Sequence, residues 1–217
     1  MMVRTLYDKY DKKLISALPQ ACFKGKVIVV LSEQEANAAV DYLLHQQILG
    51  FDTETRPTFK KGESRKVALL QVATHDICFL FRLNIIGMPD CIIRLLENTQ
   101  VPIVGLSVHD DIHSLQKRQS FTPGKFIDIQ NMVGELGIKD RSLQKLYANL
   151  FGEKITKREQ LTNWEKDVLT DKQKIYAATD AWTCIMLYEK VQELMCSGDY
   201  KLIITEAEET KTETNEP

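Results

Sequence analysis

The chain has no apolar run near the ~20 residues that a membrane-spanning helix requires, so an integral membrane protein is not expected. Its opening stretch, "MMVRTLYDKYDKK", has no apolar core followed by small residues and does not read as a signal peptide. Cysteine is scarce. The five residues (22, 78, 91, 184 and 196) are odd in number and lack C-x-x-C spacing, and three sit inside apolar stretches. A disulfide framework and a zinc site are therefore disfavoured, and reduced, buried thiols in a cytoplasmic protein are expected. Charge of one sign is also lacking: 28 Lys and Arg against 30 Asp and Glu give a net charge of −2. That balance argues against a globally basic, non-specific nucleic-acid binder while leaving room for a local basic groove. No internal repeat is visible.

What is present suits one medium-sized domain with extensions: 217 residues, 44% hydrophobic and 27% charged. Residues 1–24 read as an N-terminal extension packed on the domain. The domain itself is expected over 25–198, and 199–217 as an acidic, disordered tail. "VIVV" (27–30) predicts a strand, and the capping-box pattern from Ser32 predicts a helix to about Gln46, with Ala36, Ala39, Val40, Leu43 and Leu44 on its apolar face. "ILGFDTE" (48–54) predicts the next strand. "KVALLQVA" (66–73) and "DICFLFRL" (76–83) predict an antiparallel hairpin turning at Thr74–His75. A helix after Pro89, a short strand "PIVGLS", a helix around "HDDIHSLQKR" and a strand "KFIDI" follow, and residues 131–196 read as helical. The expectation is an α/β layered domain on a mixed sheet with antiparallel first strands.

Three acidic places stand out. Alternation along a strand puts Ile48, Gly50, Asp52 and Glu54 on one face, and Leu49, Phe51 and Thr53 on the other. Two like charges about 7 Å apart on a mainly apolar strand repel and cost desolvation, unless a cation sits between them. Oxygen ligands of this kind suit Mg²⁺ or Mn²⁺. The plainer alternative is a strand ending at Phe51 with solvated turn acids. In "VGLSVHDDIHSL", Asp110 and Asp111 open a helix, where acids also serve as simple N-terminal caps. In "YAATDAW", Tyr176 and Asp180 lie four apart on one helix face among small alanines, so something could approach closely.

Taken in order, "FDTET", "VGLSVHDDIHSL" and "YAATDAW" resemble the three motifs of the DEDD superfamily of 3′→5′ exonucleases, in the subclass with tyrosine in the third motif. "LTNWEKDVLTDKQKIYAATDA" also resembles the segment before the last motif in ribonuclease D and in the exonuclease domain of the Werner syndrome helicase; the likeness covers roughly residues 25–195. The resemblance implies a ribonuclease-H-like fold, with two divalent cations (Mg²⁺ or Mn²⁺) held by Asp52, Glu54, Asp111 and Asp180. It favours Asp111 over Asp110, because an apolar residue follows the acid directly and a leucine stands further on. It implies that Asp52 bridges both ions, that Tyr176 orients water, and that His109 and His113 are not required. The implied partner is a nucleic-acid 3′ end, with DNA ahead of RNA since no added helical RNA-binding domain is recognisable. A catalytically inactive binding or scaffold module of the same fold is the alternative. Substrate contacts are expected from Lys60, Lys61, Arg65 and Lys66 after the first motif, and from Lys154, Lys157 and Arg158 before Trp164, where each cluster could equally be a solvated loop. Trp164 reads either as a stacking platform or as a core anchor.

Overall fold

A computed structural model describes residues 3–58, 60 and 62–205. In chain order the elements are β1 (Arg4–Tyr7), α1 (Lys12–Ile15), β2 (Lys26–Val30), α2 (Glu33–Leu43), β3 (Leu49–Glu54), β4 (Leu69–Ala73), β5 (Ile77–Phe81), α3 (Leu83–Ile86), α4 (Asp90–Leu96), β6 (Ile103–Gly105), α5 (Val108–Gln116), β7 (Phe126–Asp128), α6 (Ile129–Glu135), α7 (Leu143–Phe151), α8 (Asp171–Ser197) and β8 (Tyr200–Ile203). The Ser32–Glu35 capping box forms at the start of α2, as its spacing predicts.

Six strands make the central sheet in the order β2-β5-β4-β3-β6-β7. β3, β4 and β5 pair antiparallel, whereas β2 runs parallel to β5 and β3, β6 and β7 run parallel to one another. The antiparallel start therefore holds for the β3-β4-β5 meander and not for β2, which returns to the far edge. The strands of this sheet are rich in Val, Ile, Leu and Phe because both faces are covered. One apolar layer holds Leu69, Ala73, Leu80 and Val104 against α6, α7 and α8. The other holds Leu49, Phe51, Leu70 and Val72 against residues of α2, α4 and α5.

The uniformly helical reading of 131–196 is corrected. α7 stops at Gly152, whose φ of +68° suits a residue without Cβ, and residues 152–170 form a loop before α8 begins. Short polar side chains there bond the backbone locally: Arg158 N–H donates to Thr156 Oγ1 and Glu165 N–H to Asn163 Oδ1, which competes with helix formation. α8 restarts on a Thr170–Gln173 capping box and runs 27 residues, about 40 Å.

Residues 200–203, placed by sequence in the acidic tail, form β8 instead and pair parallel with β1. Their alternating Tyr200 and Leu202 pack against the core, an apolar signal too short to stand out in sequence. Residues 206–217 lie outside the described residues. Among those described, no helix is long and apolar enough to cross a membrane.

Candidate active site

The first functional elements are β3 and α8, which cross at close range. A Cβ added to Gly50 would meet the Ala181 carbonyl oxygen at 2.0 Å. The missing side chain thus lets the α8 backbone lie on the strand, rather than leaving open space beside the acids. One turn of contact further along, Asp52 and Glu54 from β3 meet Asp180 from α8, and their carboxylate oxygens lie within 4.8 Å of one another.

Asp111 reaches the same end of β3 from α5, on the opposite side of the sheet. Its Oδ1 accepts a hydrogen bond from the Thr53 hydroxyl, which places it beside the trio rather than within it. The side chain of Thr53 points away from Asp52 along the strand, and this is how one strand grips acids from both layers. Asp110, His109 and His113 are exposed, whereas Asp111 is half-buried.

None of the four acids takes part in an ion pair among the described residues. Their electrostatics reflect this. Burial, with Asp111, Asp180 and Glu54 adding repulsion, raises Asp52 well above the usual carboxylate range. Burial and then Asp180 and Asp111 push Glu54 up to about 9. Asp180 is pushed to about 7 by burial, with the Tyr176 hydroxyl and Lys157 pulling it back. Asp111 rises to about 6, chiefly by burial, with Thr53 opposing. Tyr176 is raised by burial and by the Asp180 and Glu54 carboxylates, so its phenol stays protonated. Buried, mutually repelling hard oxygen donors without a protein cation are a donor set that fits a divalent metal ion.

Asp52, Glu54, Asp180 and Tyr176 open into a cleft of about 290 Å³. Leu106, Leu143 and Ile155 give it an apolar side; Ser142, Gln144, Thr156, Lys157 and Gln160 give it hydrogen-bonding groups. Thr53, Ser142, Gln144 and Gln160 were not singled out from the sequence, where lone polar residues carry no signal of their own. Lys157 Nζ donates to Ser142 Oγ at 3.3 Å. A second cavity of about 600 Å³ shares Gln144, Ile155, Thr156, Lys157 and Tyr176 with the first, and adds Lys154, Arg158 and Lys172.

Other expected substrate contacts sit elsewhere. Arg65 pairs with Glu63 at 2.5 Å and Glu165 at 3.6 Å, so its charge ties the loop after β3 to the loop before α8. Lys60 and Lys66 are exposed and line neither cavity, and Lys61 lies outside the described residues. Trp164 as a base-stacking platform is corrected, because it is fully buried. Its ring centroid lies 6.0 Å from that of Tyr176 and its indole N–H donates to the Gln160 carbonyl at 3.5 Å. A large apolar ring wins more from burial than from exposure at a loop surface, and here it backs the tyrosine.

Comparison with known proteins places the chain in a family. The 3′-5′ exonuclease family matches residues 27–195. The mouse bifunctional 3′-5′ exonuclease/ATP-dependent helicase WRN is 28% identical over 153 residues, covering 68% of this chain and 11% of that protein. Exonuclease 3′-5′ domain-containing protein 2 of Drosophila melanogaster is 32% identical over 149 residues, covering 67% of this chain and 25% of that protein. The chain therefore spans only a minor part of the length of these curated relatives. The crystal structure of the Aedes aegypti Nibbler EXO domain has a TM-score of 0.74 at 20% identity, over 81% of this chain and 93% of that one, which shows a common fold. With a ribonuclease-H-like sheet and a family match spanning most of its length, the chain belongs to the 3′-5′ exonuclease family.

Proposed function

We propose that this chain removes nucleotides hydrolytically from nucleic-acid 3′ ends, using divalent cations held by Asp52, Glu54, Asp111 and Asp180. The observation that carries this reading is the convergence of the half-buried Asp52 with the buried Glu54 and Asp180 within 4.8 Å beside Tyr176, in a member of this family. Two Mg²⁺ or Mn²⁺ ions, when bound, supply Lewis-acid stabilisation of the attacking and leaving oxygens and lower the pKa of water. In this reading Asp52, Glu54 and Asp180 would hold the cations together, with Asp111 as a further ligand beside them.

The protein groups have separate tasks. Tyr176 keeps its proton, directed at Asp180, so its hydroxyl oxygen orients the attacking water by accepting a hydrogen bond and does not act as the base. Trp164 holds the phenol from behind. Lys157, on the wall shared by both cavities, meets a substrate phosphate, and Arg158 and Lys172 extend that contact along the second cavity. Leu106, Leu143 and Ile155 provide apolar surface for the terminal sugar and base. Retention of every acid and of the tyrosine supports an active enzyme over an inactive binding module.

The test is a 5′-labelled oligonucleotide incubated with Mn²⁺, with EDTA, and with the Asp52→Ala variant, DNA and RNA strands side by side and DNA as the first substrate tried. Stepwise shortening from the 3′ end, absent in both controls, is the expected result, and the faster strand assigns the sugar. Binding without shortening in any Mn²⁺ lane would sink the enzymatic reading.

A further inference from the structure

Gln71 on β4 is fully buried, and neither its side-chain nitrogen nor its side-chain oxygen has a hydrogen-bond partner. An orphaned buried polar group costs roughly 1–3 kcal/mol, so packing alone does not account for an amide here. In the β3–β4 pairing Gln71 stands directly opposite Asp52. Opposed residues of an antiparallel pair share one face with Cβ atoms about 4.5–5.5 Å apart, a gap that a glutamine side chain spans. Two of the other acids are already held: Asp111 by the Thr53 hydroxyl and Asp180 by that of Tyr176. Among the described residues no side chain holds Asp52.

We propose that Gln71 is the positioning residue of Asp52. Its amide N–H groups brace the carboxylate from the neighbouring strand through one buried water, and so fix the oxygens that would face the cations. This rests on the exonuclease reading above. A carboxylate that would bind metal must hold its oxygens in place against the repulsion of three neighbouring acids, and partners behind metal ligands commonly set affinity.

The experiment uses Gln71→Met, which fills the same volume without polar atoms, and Gln71→Leu, both in the full chain. Three quantities are measured: Tm in EDTA, the Mn²⁺ dissociation constant by electron paramagnetic resonance of free Mn²⁺, and turnover as a function of Mn²⁺ concentration. The expected result is an EDTA Tm equal to or above wild type, Mn²⁺ binding weakened about 10-fold or more, and lowered turnover partly restored by excess Mn²⁺. Mn²⁺ affinity within two-fold of wild type would overturn the brace alone, as would an EDTA Tm depressed in both variants. Failure of the wild-type chain to bind Mn²⁺ would overturn the brace and the exonuclease reading together.

Discussion

Two groups of buried acids in this molecule behave in opposite ways. Asp8, at the end of β1, is almost fully buried, yet it accepts from Thr205 N at 2.8 Å and Thr205 Oγ1 at 2.7 Å, and from Lys139 Nζ at 2.9 Å. Thr205 first, and Lys139 with it, hold its carboxyl well below the usual range. Half-buried Asp52 and buried Glu54 and Asp180 crowd one another, and all are raised. Burial alone therefore does not mark a functional acid; burial without compensating charge does. The Asp8 clasp joins the segment after β1 to the segment after β8, and the cleft stores repulsion that a cation would relieve.

The largest expected effect lies in the cleft. Tyr176→Phe should lower turnover by roughly 100-fold while leaving Mn²⁺ affinity near wild type, measured by single-turnover hydrolysis and metal titration. Equal turnover would remove the tyrosine from the chemistry. Next, Lys157→Ala combined with Arg158→Ala should weaken oligonucleotide binding by about 10-fold and flatten its dependence on salt, read by fluorescence anisotropy between low and high NaCl. An unchanged salt slope would mean that these cations do not meet phosphate.

The contrast between the two groups also has a pH signature. Raised acids favour the protonated fold, so their contribution to stability is complete below about pH 4 and is lost as pH rises through about 7 for Asp180 and about 9 for Glu54. In EDTA, Tm should fall by several degrees between pH 5 and 9, and saturating Mn²⁺ should remove that fall. Asp8 has the opposite sign: its lowered value stabilises the fold above the usual carboxylate range and is lost only in acid. A scan in EDTA that stayed flat from pH 5 to 9 would contradict stored repulsion in the cleft.

The smallest effect on activity should come from the clasp. Asn149 accepts from Tyr7 N at 3.0 Å and donates to Tyr7 O at 2.7 Å, fastening β1 to α7. Asn149→Ala should cost about 1–3 kcal/mol of stability in urea denaturation and leave turnover at 25 °C unchanged. Lost turnover in the folded variant would show that the two regions are coupled.

Much of the cleft was legible because its residues sit in regular periodicities. Alternation along β3 put Asp52 and Glu54 on one face, and four-residue spacing on α8 put Tyr176 beside Asp180. Trp164 was ambiguous because an aromatic in a polar segment fits a surface platform as well as an anchor, and only its full burial behind Tyr176 decides between them. Arg65 read as free for phosphate, whereas it pairs with its near neighbour Glu63 and with Glu165, a hundred residues away in the chain, and only the fold brings the latter close.

The linear chain determined the hydrophobic patterning, the helix caps, and which acids occur in which motif, since these depend on residues within a few positions of one another. Tertiary structure decided the rest: that Gly50 lets α8 lie on β3, that Thr53 draws Asp111 across the sheet edge, and that Gln71 stands opposite Asp52. Those relations join residues from separate elements, and local propensity cannot encode a distance that only packing creates.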